Sequence, residues 1–254
     1  MKEAYFRFYA ELNDLLPLPN RGRDFSHTFG VAESVKDAIE AIGVPHTEVD
    51  LILANGQPAA FSYLVRDRDR ISVYPVFRRI HLSPDTHLQP RSESDIRFVL
   101  DTHLGKLTAY LRMLGFDSLY RNDCEDAELA HISASQQRAL LSRDRGLLKR
   151  SAVTLGYLVR EAQPRQQLME VLRRFDLSES IRPFRRCLHC NALLECVSKD
   201  LISDRLPPRT RKHYEEFNLC PECGRVYWKG SHYRRMKALI ERLIDRPRPD
   251  CPAC

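Results

Sequence analysis

Two aspartates stand directly after apolar runs. "RFVLD" ends at Asp101 and "ALLSRD" ends at Asp144, while Asp126 begins a predicted helix between them. In an open parallel sheet, ligands bind beyond the carboxyl ends of the strands, so the three acids are expected at one crevice. Converging carboxylates repel one another unless a cation neutralises them, and all-oxygen ligands select magnesium or manganese. We therefore predict a catalytic Mg²⁺ or Mn²⁺ site held by Asp101 and Asp144, with Asp126 as third ligand or water-orienting base.

Helix capping is the alternative interpretation of each acid taken singly, because an aspartate between a strand and a helix is often only an N-cap. Basic residues nearby favour a phosphate-binding role for the region. They could hold an RNA backbone beside the acids, although each one singly is typical of an ordinary surface. The predicted RNA-binding residues are Lys106, Arg143, Arg145 and Lys149.

Three CxxC pairs account for six of the eight cysteines. In a cytosolic chain such pairs indicate metal binding rather than disulfides. Two pairs about thirty residues apart predict a structural zinc site, because four thiolates leave zinc no open position for water. The predicted ligands are Cys187, Cys190, Cys220 and Cys223. His189 is an alternative ligand, whereas Cys251 and Cys254 are assigned to a C-terminal tail.

The elements from residue 96 onward alternate between strand and helix. Strands are predicted at 96–100, 116–120, 138–142 and 152–159, with helices at 103–114, 125–135 and 164–175. This alternation predicts an α/β domain with a parallel sheet over residues 96–182. A zinc ribbon with a C-terminal helix is expected over 183–245, followed by a tail at 246–254.

The first 80 residues show a β-β-α-β-β order that resembles the ubiquitin-like β-grasp fold. Phe6, Phe8, Ala10 and Leu12 are expected on one face of the first strand. Ser34 and Asp37 predict a capping box, and Asn55-Gly56 predicts a hairpin turn. Sulfur carriers of this fold work through a terminal Gly-Gly, which is absent at the end of this domain. We therefore expect a docking or substrate-contact module with a protein partner, joined to the next domain by a linker at 81–95.

Charge indicates a polyanionic partner. The chain has a formal net charge of +6, and residues 205–248 hold twelve Lys and Arg against five Asp and Glu. A concentrated basic surface favours RNA or DNA, although a solvated charged face would have the same composition. No apolar run approaches the roughly 20 residues that a membrane span needs, and the N-terminus lacks a signal-peptide pattern. We expect a soluble, cytoplasmic protein that contacts no membrane.

The segments "FVLDTHLGKLTAYLRMLGFDSLY", "DAELA" and "ALLSRDRGLL" resemble the Mut-seven C-terminal family of PIN-like ribonuclease domains, over roughly residues 96–245. The β-grasp module also precedes this domain in bacterial members. The resemblance implies a three-layer parallel-sheet core and metal-dependent RNA hydrolysis, with the acids at Asp101, Asp126 and Asp144. Many PIN domains carry a fourth acid soon after the third, but "RGLLKR" contains none. The gap argues against a full two-metal site unless Asp123 or Glu128 compensates. The alternative is a non-catalytic RNA-binding adaptor with a degenerate PIN-like domain, which the missing acid favours and the three remaining acids oppose.

Overall fold

The computed structural model describes residues 1–76, 88 and 96–244, with side chains through residue 242. All of the predicted 81–95 linker except residue 88 lies outside the described residues, as do the tail and its two cysteines. The chain forms two compact units, Met1–His103 with Arg121–Val159, and Leu104–Tyr120 with Arg160–Cys254. Among the described residues, no helix is long and apolar enough to cross a membrane.

The N-terminal domain is a five-stranded sheet covered by one helix, which confirms the β-grasp prediction. Its strands lie in the order β2-β1-β5-β3-β4, with β1 and β5 parallel at the centre. Ser34 and Asp37 form the predicted capping box of the helix, and Asn55 and Gly56 form the left-handed turn between β3 and β4. The elements are β1 (Lys2–Phe8), β2 (Phe25–Phe29), α1 (Val35–Ile42), β3 (Leu51–Ala54), β4 (Gln57–Pro58) and β5 (Arg70–Tyr74).

The first strand ends earlier than predicted from the alternation of apolar residues, which continues to Leu12. β1 stops at Phe8, and Ala10–Leu15 is a 3-10 helix. The Asn13 amide donates hydrogen bonds to the carbonyls of Phe8 and Ala10, which turns the chain out of the sheet. Phe6, Phe8 and Leu12 are buried as expected, but the prediction for Ala10 is wrong, because Ala10 is exposed at a φ of 47°.

The predicted parallel sheet is present in the middle of the chain. β8 pairs in parallel with β6 on one side and β9 on the other. Every residue of β6 and β8 is buried, as expected for strands covered on both faces. Helix α3 packs against both strands, and α4 packs against β8 and β9. Among the helices and strands described between residues 96 and 175, only α4 was not predicted. The elements are β6 (Phe98–Leu100), α2 (Gly105–Met113), β7 (Ser118–Tyr120), α3 (Asp126–Gln136), β8 (Ala139–Ser142), α4 (Arg145–Leu148), β9 (Gly156–Leu158) and α5 (Pro164–Arg174).

The C-terminal region contains a three-stranded antiparallel sheet, in the order β10-β11-β12. Ile202, Leu206 and Phe217 form its small apolar core, against which Tyr214 and Trp228 pack. With the nearby cysteines, this sheet has the architecture of the predicted zinc ribbon. The elements are β10 (Glu195–Val197), α6 (Pro208–His213), β11 (Phe217–Leu219), β12 (Val226–Trp228) and α7 (Ser231–Ile244).

Candidate active site and metal centre

Asp101 is a buried carboxylate at the carboxyl end of β6. Asp101 is only 6% exposed, and its backbone amide donates a hydrogen bond to the Leu141 carbonyl of β8. Two hydroxyls donate to the carboxylate: Thr102 Oγ1 to Oδ1 at 3.1 Å and Ser142 Oγ to Oδ2 at 2.7 Å. Each hydroxyl offsets part of the cost of burying an acid. Asp101 is therefore held in one orientation at the strand end.

Ser142 links the two strand-end aspartates. Besides donating to Asp101, its hydroxyl oxygen accepts a hydrogen bond from the Asp144 backbone amide at 2.8 Å. Ser142 is fully buried, so water does not compete for these bonds. Sequence reasoning missed this residue. Its signal was the small polar side chain that ends an otherwise apolar strand, two positions before Asp144.

Asp144 is the N-cap of α4, so the capping alternative applies to it. Its Oδ1 accepts a hydrogen bond of 2.6 Å from the Gly146 amide. A Cβ at Gly146 would lie 3.2 Å from that oxygen, which explains why a glycine suits the turn. The carboxylate is otherwise exposed, and an anionic oxygen has more than one lone pair. Capping therefore leaves it with acceptor capacity.

Asp126 lies in the first turn of α3, next to the N-cap Glu125. Because α3 packs on the sheet and is joined to β8 by only two residues, it runs antiparallel to that strand. Its N-terminus therefore points toward the edge where β6 and β8 end. The parallel pairing of β6 and β8 brings Asp101 and Asp144 to one edge, toward which α3 begins, but the oxygens of Asp101, Asp126 and Asp144 do not all lie within 4.8 Å of one another. Among the described residues, only the cysteine cluster satisfies that criterion.

The two acids considered as a fourth ligand share a basic partner. The Arg121 guanidinium contacts Asp123 at 3.3 Å and Glu128 at 2.7 Å. All three side chains are well exposed, so solvent screens these pairs. Nearby, burial and a hydrogen bond with Glu128 raise the pKa of the Cys124 thiol to about 11, which keeps it protonated. Cys124 is therefore unsuited to act as a nucleophile.

The four predicted RNA-binding bases differ in their surroundings. Lys106, Arg143 and Arg145 are exposed, whereas Lys149 is half-buried. Arg145 Nη1 donates to the Leu15 carbonyl at 2.9 Å, and Lys149 Nζ donates to the Glu40 carbonyl. Arg145 and Lys149 thus bind backbone oxygens of the β-grasp domain, and part of their donor capacity is used there.

The four cysteines converge and could hold a metal ion such as zinc. Their Sγ atoms all lie within 4.8 Å of one another, with 3.5 Å between Cys187 and Cys223 and 3.3 Å between Cys190 and Cys220. Zinc–sulfur bonds of about 2.3 Å in a tetrahedron place sulfurs roughly 3.8 Å apart, so the donor set fits zinc. His189 is exposed and is not part of the cluster.

The backbone of each CxxC pair forms the same turn. The residue after the second cysteine adopts a left-handed conformation, Asn191 at a φ of 78° and Gly224 at 70°. Asn191 N donates to the Cys187 carbonyl and Gly224 N to the Cys220 carbonyl, at 3.0 and 2.9 Å. Asparagine and glycine are the residues that tolerate this conformation best. The sequence pattern behind the metal centre is therefore CxxC followed by Asn or Gly.

Hydrogen bonds prepare Cys187 to be a thiolate. Burial raises its pKa, but hydrogen bonds from the Tyr227 hydroxyl and from the amides of Cys190 and His189 outweigh burial and lower the pKa to about 6. The Tyr227 oxygen lies 3.1 Å from Cys187 Sγ. Burial raises the pKa of Cys190 and that of Cys223, so Cys187 is set up to become a thiolate, the form that binds metal, before those two.

Arg112 and Asn191 seat the first CxxC pair on the α2–β7 turn. The Arg112 guanidinium donates to the carbonyls of Ser118, Leu188 and His189. Asn191 accepts from the Ser118 amide and donates to Asp117, at 3.0 and 2.8 Å. Sequence reasoning missed both residues. Apart from the bond between Arg112 and Ser118, each of these hydrogen bonds joins residues more than 70 positions apart in the chain.

Comparisons with known proteins agree with this architecture. The family model described as "Mut7-C ubiquitin" matches residues 1–81. The model described as "Mut7-C RNAse domain" matches residues 96–240, which is more than half of the chain. The comparison with curated proteins gave no significant match, and neither did the comparison with solved structures. With its β-grasp sheet, its parallel-sheet core and its four-cysteine cluster, the chain belongs to the Mut7-C RNAse domain family.

Proposed function

We propose that the protein is a metal-dependent ribonuclease that hydrolyses RNA phosphodiester bonds at the edge formed by β6 and β8. The observation that carries the proposal is the buried Asp101 carboxylate at the end of an apolar strand, linked through Ser142 to Asp144. Membership of a ribonuclease-domain family supports the reaction class. The basic C-terminal segment supports a polyanionic substrate.

Asp101 and Asp144 would hold Mg²⁺ or Mn²⁺ directly, since their donors are the hard carboxylate oxygens that these ions prefer. The bound ion would lower the pKa of a water molecule and offset charge on the phosphate. Asp101 supplies a fixed anion at the strand end, and Asp144 supplies a second anion whose position is set by α4. Asp126 completes the set from the start of α3 or orients water.

The exposed Lys106 and Arg143 are proposed to contact phosphates. The four cysteines are proposed to hold a structural zinc ion, which stabilises the ribbon and with it the basic surface. Arg209, Arg211 and Lys212 on α6 are exposed and belong to that surface. Phosphate contacts of this kind position a nucleic acid without reading its sequence.

The test is Asp101→Asn, which keeps the side-chain volume and removes the charge. We expect RNA cleavage in Mg²⁺ or Mn²⁺ to fall by about 100-fold or more, equivalent to roughly 3 kcal/mol of transition-state stabilisation. Asp14→Asn, an exposed acid in the β-grasp domain, is the matched control and should cleave at the parent rate. Cleavage by Asp101→Asn at the parent rate in saturating metal would show that Asp101 has only a structural role.

A non-catalytic RNA-binding adaptor is the second candidate. It is favoured by Arg121, which pairs with Asp123 and Glu128, the two acids available to replace the missing fourth one. A parent protein that binds RNA but cleaves none across a panel of single-stranded and structured RNAs in Mn²⁺ would support the adaptor. The zinc ribbon and the basic surface would have the same roles in either case.

A further inference from the structure

The β-grasp domain contacts the segment that follows Asp144. Arg145 Nη1 donates a hydrogen bond to the carbonyl of Leu15. Leu15 is the last residue of the 3-10 helix that follows β1. Lys149 Nζ donates to the Glu40 carbonyl in the last turn of α1. These bonds lie at the two ends of α4, the short helix that Asp144 caps. The β-grasp domain therefore holds both ends of that helix.

A second group of contacts reaches the loop before β9 and β9 itself. His46 Nε2 lies 2.7 Å from the Val153 carbonyl, and its Nδ1 lies 2.6 Å from Glu40 Oε1. Glu48 Oε1 accepts a hydrogen bond of 2.7 Å from the Leu158 amide. His46 and Glu48 are only 5% and 3% exposed. Buried polar groups are costly without hydrogen-bond partners, so separating these residues from the β9 segment would be unfavourable.

The contacts of β9 lead back to the candidate active site. The Val159 amide, next to Leu158, donates to the Ser142 carbonyl at 2.8 Å. Ser142 in turn holds the Asp101 carboxylate and the Asp144 amide. A continuous path of hydrogen bonds and covalent neighbours thus runs from Glu48 of the β-grasp domain to Asp101.

We propose that the β-grasp domain braces the candidate active site, with Arg145 and Lys149 as positioning residues that hold α4 and therefore the Asp144 carboxylate. Its effect on catalysis rests on the proposed ribonuclease function, whereas the bracing itself does not. This role differs from that of a detached docking module, because the contacted segment begins one residue after Asp144. It also assigns Arg145 and Lys149 to the β-grasp domain rather than to RNA.

The proposal can be tested in the full chain with Arg145→Met and Lys149→Met. Arg150→Met is the matched control, since Arg150 is an exposed base just beyond α4. The first readout is amide hydrogen exchange over residues 144–158, including Gly146, whose amide bonds the Asp144 carboxylate. We expect faster exchange in both test variants and parent-like exchange in Arg150→Met. Parent-like exchange in both test variants would overturn the proposal.

The second readout is the kinetics of RNA cleavage over a Mn²⁺ titration. A loosened Asp144 should raise the Mn²⁺ concentration needed for half-maximal rate by about tenfold, as loss of supporting contacts around metal ligands does, with KM for RNA unchanged. Arg145→Lys should restore part of the effect because lysine can still donate to the Leu15 carbonyl. A raised KM with an unchanged Mn²⁺ requirement would instead assign Arg145 to phosphate binding and refute its positioning role. If the parent protein cleaves no RNA, the ribonuclease proposal fails, and hydrogen exchange alone decides the bracing.

Discussion

Replacing Ser142 with alanine should destabilise the protein and loosen the candidate active site. The substitution removes a donor to the Asp101 carboxylate, a bond to a charged group that is worth about 1.5–3 kcal/mol. It also deprives the Asp144 amide of its acceptor, which costs about 1–3 kcal/mol if the donor stays unsatisfied. Asp144 lies at the exposed end of the strand, so water recovers part of the second loss. We expect a net cost of about 2–4 kcal/mol in the free energy of unfolding.

The assay is urea unfolding followed by far-UV circular dichroism in a reducing buffer, with the parent protein and Ser133→Ala alongside. Ser133 is equally buried, but its hydroxyl donates only to the neutral Arg138 carbonyl at 2.8 Å. Loss of that bond should cost about 1 kcal/mol. The midpoint for Ser142→Ala should therefore fall clearly below that for Ser133→Ala at a similar m-value. Ser142→Ala should also raise the Mn²⁺ requirement for cleavage about tenfold or more.

The comparison of the two serine variants gives the refuting result. If Ser142→Ala is no less stable than Ser133→Ala, then the bonds to Asp101 and to the Asp144 amide contribute no more than an ordinary neutral hydrogen bond. An unchanged Mn²⁺ requirement would further show that the Ser142 hydroxyl does not position the acids. Both outcomes would remove the link between the strand ends on which the candidate site depends.

Three further predictions concern the metal centre, the buried thiol and the basic surface. The parent protein should hold one tightly bound zinc ion per chain. Cys187→Ser or Cys220→Ser should lose this ion and expose residues 185–230 to proteolysis, because metal binding supplies folding free energy in small zinc domains. Metal analysis that finds no zinc in the parent protein would contradict this. Cys124 should be alkylated more slowly at pH 8 than the exposed Cys196, because a thiol pKa of about 11 leaves only about 0.1% thiolate; mass spectrometry that finds equal labelling rates would contradict it. Replacing Arg209, Arg211 and Lys212 with glutamine should reduce the slope of log affinity for single-stranded RNA against log salt by about 2, at roughly 0.7 per phosphate contact; binding measured in Ca²⁺ with an unchanged slope would place the RNA elsewhere.

The elements and the cysteine cluster that could hold a metal ion were predicted from the sequence because their signals are local. The buried runs of β6 and β8, the Ser34–Asp37 capping box and the Asn55-Gly56 turn each depend on residues a few positions apart. The spacing within each CxxC pair likewise defines a turn before any tertiary contact forms. The wrong prediction for Ala10 also came from a local signal. The alternation of apolar residues continued past Phe8, while hydrogen bonds from the Asn13 side chain turned the backbone out of the strand.

The surroundings of the candidate site were decided by tertiary structure. Strand-end acids are visible in the sequence, but the bond from Ser142 to Asp101 spans 41 positions and depends on the parallel register of β6 and β8. Arg145 and Lys149 have the composition of phosphate-binding bases, yet their acceptors are carbonyls 130 and 109 positions away. A cation satisfies its donors with whichever oxygens the fold brings near. Residue type therefore predicted the charge of this region, and only the packing of the β-grasp domain on α4 and β9 determined which oxygens those charges bind.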